Sequence, residues 1–177
     1  MNYKEILLER ANTISGLEKR LAENRNDKVA VSELKEQYNL FSDVSAEEII
    51  KTPCIVIKND VTEDKVVNEK ISSLTEKFLK NKNKEYISFL QIDEDENLKQ
   101  NFIIQHTSLD EAKKFCENLE KDEFFIIRDD YTYKFSKLYE GKWKPVLQKK
   151  TSQAIQQINE SKGKHYRILG KKYKALF

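Results

Sequence analysis

The sequence predicts an α+β domain with a mixed sheet of about five or six strands and packed helices, an N-terminal helical hairpin and a basic C-terminal arm. Three observations lead to this prediction. Apolar residues recur at helical spacing near the N-terminus, short β-branched or aromatic runs then alternate with further helical segments, and lysine is concentrated near the C-terminus. We therefore divide the chain into a helical hairpin (1–45), an α/β core domain (46–147), and a helix with the basic arm (148–177).

Two helices are predicted at the N-terminus. In residues 3–23 the apolar side chains fall three or four positions apart, which places them on one face of a helix. A turn and cap signal follows at residues 24–27, and a shorter helix continues with the same spacing. The pattern predicts a hairpin that either covers a sheet or projects as a separate module. Its apolar positions are Tyr3, Leu7, Ala11, Ile14, Leu17, Leu21, Val31, Leu34, Tyr38 and Phe41.

The core domain begins, after one helical turn at residues 46–51, with a strand–helix–strand unit. The run Cys54–Ile57 is continuously apolar and rich in β-branched residues, as buried strands are. Asp60 and Glu63 have the spacing of a capping box for the helix that follows, and Tyr86–Ile92 is the next strand. The length of this crossover predicts a parallel pairing of the two strands.

A second helix and further strands complete the predicted core domain. An acidic loop at 93–96 precedes a strand at 102–106, and a capping box at Ser108 and Glu111 introduces the helix. The remaining segments alternate loosely around turn residues, which predicts a hairpin at the end. They are a strand at 123–128, a strand at 131–139, a turn at Glu140 and Gly141, and a returning strand at 142–147.

Both cysteines, Cys54 and Cys116, lie inside apolar patterns and lack the basic neighbour that lowers a thiol pKa. We expect them to be reduced and buried. No apolar run approaches the roughly 18 residues of a membrane helix, and the N-terminus is amphipathic rather than signal-like. These observations predict a protein without a membrane partner and with an intracellular, cytoplasmic or virion-associated location.

Carboxylates at strand ends raise the question of a metal site. Asp60, Asp93, Asp95, Asp129 and Asp130 follow three predicted strands. If those strands ran parallel and side by side, the carboxylates would gather at one edge of the sheet and bind Mg²⁺ for phosphodiester chemistry. Carboxylates at such positions are more often turn formers or helix caps. A Mg²⁺-dependent phosphoesterase is therefore only the third hypothesis.

Other catalytic signatures are missing from the sequence. The four glycines are isolated, so no glycine-rich loop binds phosphate. His106 and His165 have no other ligand at metal spacing, and no serine lies in a nucleophile elbow. We expect His106 to be an ordinary strand-end residue and His165 to add to the basic segment. The sequence thus predicts no enzyme, no catalytic residues, no metal, no cofactor and no small-molecule substrate.

Charge is distributed unevenly along the chain. Residues 142–177 contain ten lysines or arginines and one acid, Glu160, which is a net charge of +9; the preceding residues hold 22 basic and 29 acidic side chains, a net charge of −7. A helix with a narrow apolar stripe is predicted at 148–162, ended by Gly163. The candidate partner-binding residues after it alternate cations with apolar anchors: Lys164, His165, Tyr166, Arg167, Ile168, Leu169, Lys171, Lys172, Tyr173, Lys174, Leu176 and Phe177.

Three roles suit such an arm. It docks on an acidic protein surface or a neighbouring subunit, with apolar anchors and steering lysines; or it binds nucleic acid, with Tyr166 and Tyr173 stacking on bases; or it folds back on its own chain. Arginine is scarce, at five of 32 basic residues, which disfavours nucleic acid. Leu176 and Phe177 favour a protein pocket. The leading hypothesis is a non-enzymatic interaction or assembly protein, an accessory or structural component of a phage or mobile element. Nucleic-acid binding is the alternative.

Overall fold

The computed structural model describes residues 3–40, 53–58, 65–92, 98–128, 130–137, 141–151, 158, 165–168 and 171–174. These residues form four helices and an antiparallel sheet of eight strands, which confirms the α+β class. The helices are α1 (Tyr3–Glu23), α2 (Lys28–Leu40), α3 (Lys65–Asn81) and α4 (Leu109–Asn118). The strands are β1 (Cys54–Ile57), β2 (Tyr86–Ile92), β3 (Leu98–Ile104), β4 (Glu123–Arg128), β5 (Tyr131–Ser136), β6 (Lys144–Lys150), β7 (His165–Ile168) and β8 (Lys171–Lys174).

The sheet is larger than predicted, and no parallel pair occurs among the described strands. Its order is β6-β5-β4-β1-β3-β2-β7-β8, and every neighbouring pair is antiparallel. The predicted parallel pairing of β1 with β2 is wrong, because β3 lies between them and pairs with both. A short connection makes the β2–β3 hairpin inexpensive in loop-closure entropy, and β1 then pairs with the edge of β3 that remains.

Helices cover both faces of the sheet. Side chains alternate between the two faces along each strand, so neighbouring residues of β1 enter different cores. Val56 packs in the core with α1 and α2, and Ile57 packs in the core with α3 and α4. Of the two readings of the N-terminal hairpin, the one in which it covers a sheet is therefore correct. The helical residues buried in the first core are Ala11, Ile14, Leu17, Ala30 and Leu34.

Polar residues of α1 complete the part of β2 that no strand pairs with on that side. β7 pairs only with residues 90–92 of β2. Nearer the start of β2, the Asn12 amide group donates to the Tyr86 carbonyl at 3.0 Å and accepts from the Ser88 N–H, and the Ser15 hydroxyl donates to the Ser88 carbonyl at 2.6 Å. A helix thus satisfies buried backbone groups that would otherwise lack partners.

The ends of α3 and α4 follow standard capping rules. The predicted capping box is present at α4, where the Ser108 hydroxyl accepts from the Glu111 N–H at 3.2 Å. Both helices end in a residue with positive φ, Asn83 (φ 51°) and Glu120 (φ 55°). After α4, the Lys121 N–H then donates to the Cys116 carbonyl at 2.7 Å, the long bond of a Schellman motif.

Several predicted segments lie outside the described residues: the helical turn at 46–51, the capping pair Asp60 and Glu63, the acidic loop at 93–96 and most of the helix at 148–162. The start of that helix is wrong, because residues 148–150 are extended and pair with β5. The predicted hairpin after β4 is confirmed as β5 and β6. The division of the chain at residues 45 and 147 stays a prediction.

Candidate docking surface

The predicted C-terminal arm belongs to the sheet wherever the structure describes it. β7 pairs with β2, and β8 pairs with β7. Tyr166, Ile168 and Tyr173 are 2%, 3% and 4% exposed, and the rings of Tyr166 and Phe89 meet edge to face with centroids 5.4 Å apart. A separate arm is therefore not confirmed, and these three side chains are core residues rather than exposed anchors. Their alternation with cations is the period of a strand with one buried face.

The other candidate residues of the arm are scattered. His165 is buried, Lys171 and Lys172 are half-buried, and only Lys174 among the four described cations of the segment's end is exposed. Arg167 is half-buried. The remaining candidates, Lys164, Leu169, Leu176 and Phe177, lie outside the described residues. The structure thus does not gather the twelve candidates on one surface.

Arg167 takes part in a buried polar contact with the helical hairpin. Its guanidinium Nη1 lies 4.0 Å from Oε2 of Glu18 on α1, and the Tyr38 hydroxyl on α2 donates to Glu18 Oε1 at 2.8 Å. Burial raises the pKa of the Glu18 carboxyl, although the Tyr38 hydrogen bond and the Arg167 charge oppose the rise. The contact ties α1, α2 and β7 together, and its role is structural.

The arrangement needed for the carboxylate metal site does not exist. β1 and β4 are antiparallel, with Ile55 opposite Ile126, so the end of β1 lies beside the start of β4. Asp130 follows the far end of β4, about 13 Å further along the strand at 3.3 Å per residue. Asp60, Asp93, Asp95 and Asp129 are outside the described residues, and within the described ones no three potential metal ligands cluster. The predicted gathering of strand ends at one edge is wrong.

The two cysteines are free and buried, as the sequence predicts. Cys54 packs in the core under α1 and α2, and Cys116 in the core under α3 and α4, on the other side of the sheet. Burial raises the pKa of each thiol to about 12. A thiol with so high a pKa is protonated near neutral pH and is a poor nucleophile.

The most exposed cationic surface in the described part of the chain is the edge strand β6. All seven residues of β6 are exposed, including Val146 (45%) and Leu147 (42%). Residues 141–151 contain four lysines and no acid. The lysines lie on both sides of the strand: opposite the register with β5, Lys149 shares a face with Leu147, and Lys150 shares the other face with Gln148.

An aromatic row borders this edge on one face of the sheet. Tyr131, Tyr133 and Phe135 alternate along β5 and project to the same side. Phe135 stacks on Phe124 with ring centroids 5.3 Å apart, which ties the row to the core. Tyr131, in contrast, is 40% exposed. The row therefore runs from the buried core at one end to a solvent-accessible ring beside the lysines at the other.

Sequence reasoning assigned the lysines of residues 142–150 to the approach of an arm rather than to a surface of their own. A signal for the correct assignment was present. The hairpin around Gly141 was predicted, and Gly141 has the positive φ (66°) that suits a turn. Extending its second strand from 147 to 150 places Lys149 and Lys150 on the sheet edge. Lysines on an edge strand are a common feature of exposed sheet edges.

No family model matches the chain, and neither the curated proteins nor the solved structures include a significant match. Among the helices that the structure describes, none combines the length and the apolar character that crossing a bilayer requires. Any functional conclusion about this protein therefore depends on the geometry and charge of its own surfaces.

Proposed function

We propose that this protein is a non-enzymatic binding protein that docks on an acidic protein surface through β6. The observation that carries the proposal is the combination of four lysines, no acid and two exposed aliphatic side chains within residues 141–151. Protein interfaces combine apolar anchors with charges that steer the approach of the partner. Val146 and Leu147 supply the anchors, and the lysines supply the steering.

The lysines act mainly on the rate of association and on the choice of partner. Exposed ion pairs add little to affinity, because solvent and salt screen them. A cluster of like charges nevertheless raises the on-rate toward an oppositely charged surface and repels a like-charged one. Affinity at this edge must therefore come chiefly from the aliphatic contacts and from the backbone of the edge strand.

A charge-reversal experiment tests the proposal. Purified protein is titrated into a fluorescein-labelled acidic peptide of alternating glutamate and valine, and binding is followed by fluorescence anisotropy. The double variant Lys149→Glu/Lys150→Glu should lose binding by at least tenfold. The matched control Lys77→Glu/Lys114→Glu changes the net charge equally at exposed positions of α3 and α4 and should bind normally. Equal losses in the two variants would show a general charge effect and contradict docking at β6.

Nucleic acid is a second candidate ligand, supported by the exposed ring of Tyr131. The side chains of Arg128 and Lys150 lie opposite Tyr131 on the neighbouring strands, so two cations flank one ring. Such an arrangement suits a stacked base with phosphates on either side. Anisotropy with labelled oligo-dT distinguishes the two candidates: nucleic-acid binding weakens steeply as salt rises and is reduced by Tyr131→Ala, whereas docking of the acidic peptide is not.

The biological setting belongs to the same proposal. An accessory or structural role in a phage or mobile element, within the cytoplasm or a virion, is supported by the small size of the chain and by its division into acidic and basic parts. The two free, buried cysteines accord with a reducing compartment. The acidic surface belongs either to a different protein or to a neighbouring copy of this chain. Light scattering across a concentration series separates these cases.

A further inference from the structure

The backbone of β6 offers hydrogen-bonding groups on its outer side. The Thr151 N–H donates to the Asp130 carbonyl at 2.7 Å, across the ribbon from β6 to β5. Backbone groups alternate in direction along an antiparallel strand, so Lys149 and Leu147 also point toward β5. Gln148 and Lys150 consequently point their N–H and C=O groups outward. None of the described residues forms a strand against that side.

The first half of β6 is unsuited to pairing. Pro145 lies opposite Phe135, whose backbone groups are directed toward β4, so Pro145 faces outward and has no N–H to donate. The register of the ribbon shifts by one residue next to Val146, which is the signature of a β-bulge. Proline and bulges at an edge prevent the addition of another strand. Outward pairing is thus confined to residues 147–150.

The opposite edge of the sheet is already in use. The Ile158 N–H donates to the Lys172 carbonyl of β8 at 2.9 Å. β8 is also only four residues long. Of the two edge strands, β6 is therefore the one that provides an open, regular pair of backbone donors and acceptors, at Gln148 and Lys150.

From this arrangement we infer that the partner binds as an extended strand added antiparallel to residues 147–150 of β6, with two acidic residues followed by a polar and an apolar residue. The inference rests on the proposed function and specifies how the partner is recognised. Strand addition supplies affinity through the main chain and specificity through alternate side chains. It uses the two features of this edge, outward backbone groups and lysines, in a single contact.

The order of residues in the partner follows from the register. In an antiparallel addition, the partner residues lie in sequence opposite Lys150, Lys149, Gln148 and Leu147. Cross-strand pairs of opposite charge are favourable and like charges are unfavourable, so acids belong opposite the two lysines. An aliphatic residue belongs opposite Leu147, on the same face as Lys149. The sequence Glu-Glu-Thr-Val satisfies all four positions.

The same rule excludes pairing of two copies of β6 by this segment. Antiparallel self-pairing over 147–150 places the lysines of one copy close to those of the other, with no acid between residues 141 and 151 to neutralise them. An acidic segment from elsewhere is therefore the occupant that the charges select.

A labelled peptide containing Glu-Glu-Thr-Val between glycines tests the inference against the full chain. Its first and third residues lie opposite Lys150 and Gln148 and direct their N–H groups toward β6, whereas the second and fourth direct theirs away. N-methylation of the first and third residues should weaken binding at least tenfold. N-methylation of the second and fourth residues, the matched control, should change it by less than about threefold, because no hydrogen bond is lost.

A protein variant provides an independent test. Gln148→Pro removes the outward N–H and leaves the bonds to β5 intact, since edge strands accept proline where the N–H faces solvent. The variant should keep the far-ultraviolet circular dichroism of the wild type and lose peptide binding at least fivefold. Gln148→Ala, which keeps the N–H, should bind as the wild type does.

The outcomes separate this inference from the proposed function. Equal effects of the two methylation patterns, with binding still lost in Lys149→Glu/Lys150→Glu, would refute strand addition and leave docking at β6 standing. Failure of the unmodified peptide to bind would also refute strand addition. Binding that is indifferent to Lys149 and Lys150 would refute both. Displacement of the peptide by oligo-dT with unchanged sensitivity to Gln148→Pro would assign the edge to nucleic acid and overturn the inference.

Discussion

Truncating Tyr166 tests whether the C-terminal segment is part of the fold. Tyr166→Ala removes a ring that is 2% exposed and that contacts Phe89 edge to face. Aromatic-to-alanine substitutions at buried sites cost about 3–5 kcal/mol in the free energy of unfolding. Aromatic pairing accounts for about 0.5–1.5 kcal/mol beyond area burial in such contacts. Since domains of this kind are stable by about 5–15 kcal/mol, the substitution removes a large share of the total.

The loss is measured by urea unfolding, with the fluorescence of Trp143, the single tryptophan, as the probe. A loss of 3–5 kcal/mol corresponds to a fall in melting temperature of about 6–20 °C for a chain of this size. Tyr131→Ala is the matched control, because Tyr131 is 40% exposed on another strand and its truncation should cost less than about 1 kcal/mol.

The two substitutions have equal chemistry and differ in burial alone. If Tyr166→Ala were no more destabilising than Tyr131→Ala, residues 165–174 would not belong to the cooperative fold. The original picture of a separate arm with exposed anchors would then be restored. A large loss for Tyr166→Ala alone supports the eight-stranded sheet.

Three further predictions concern stability. Burial raises the pKa of Glu18 above its ordinary value of 4.5, so the folded state binds the proton more tightly than the unfolded state; stability should decline as pH rises from about 4.5 through the raised pKa, and Glu18→Gln should abolish that slope in urea titrations at several pH values. Asn12→Ala should cost about 2–3 kcal/mol in thermal unfolding because it orphans backbone groups of β2, whereas Thr13→Ala, at an exposed neighbouring position, should cost much less. Glu120→Gly should stabilise by about 0.5–1 kcal/mol because glycine tolerates its φ of 55°, whereas Lys114→Gly inside α4 should destabilise by about 1 kcal/mol; the opposite order in calorimetry would contradict the capping geometry.

Much of the local structure follows from short-range patterns. The continuous apolar run Cys54–Ile57 predicts a buried strand, and all four of its residues are buried. The capping box of Ser108 and Glu111 predicts the start of α4 correctly. Gly141 predicts the turn between β5 and β6. In each case the signal lies within a few residues of the element, because caps, turns and side-chain periodicity are local properties of the backbone.

The candidate surface was only half predicted. The concentration of lysine after residue 142 and the search for an acidic partner came from charge alone. The location did not, because the prediction placed the contact at residues 164–177, and the described part of that segment is folded into the sheet. The alternation of Tyr166, Ile168 and Tyr173 with cations fits a partly buried strand as well as an amphipathic arm, so the pattern alone does not decide between them.

The sequence by itself determined which segments are helical or extended, which side of each is apolar, and how charge is divided along the chain. The tertiary structure alone decided which strands are neighbours, and hence that β1 lies beside β4, that β7 and β8 extend the sheet, and that β6 is left at its edge. The reason is physical. Backbone hydrogen bonds between strands are nearly the same for any pair, so strand order depends on loop closure and on packing between residues far apart in sequence.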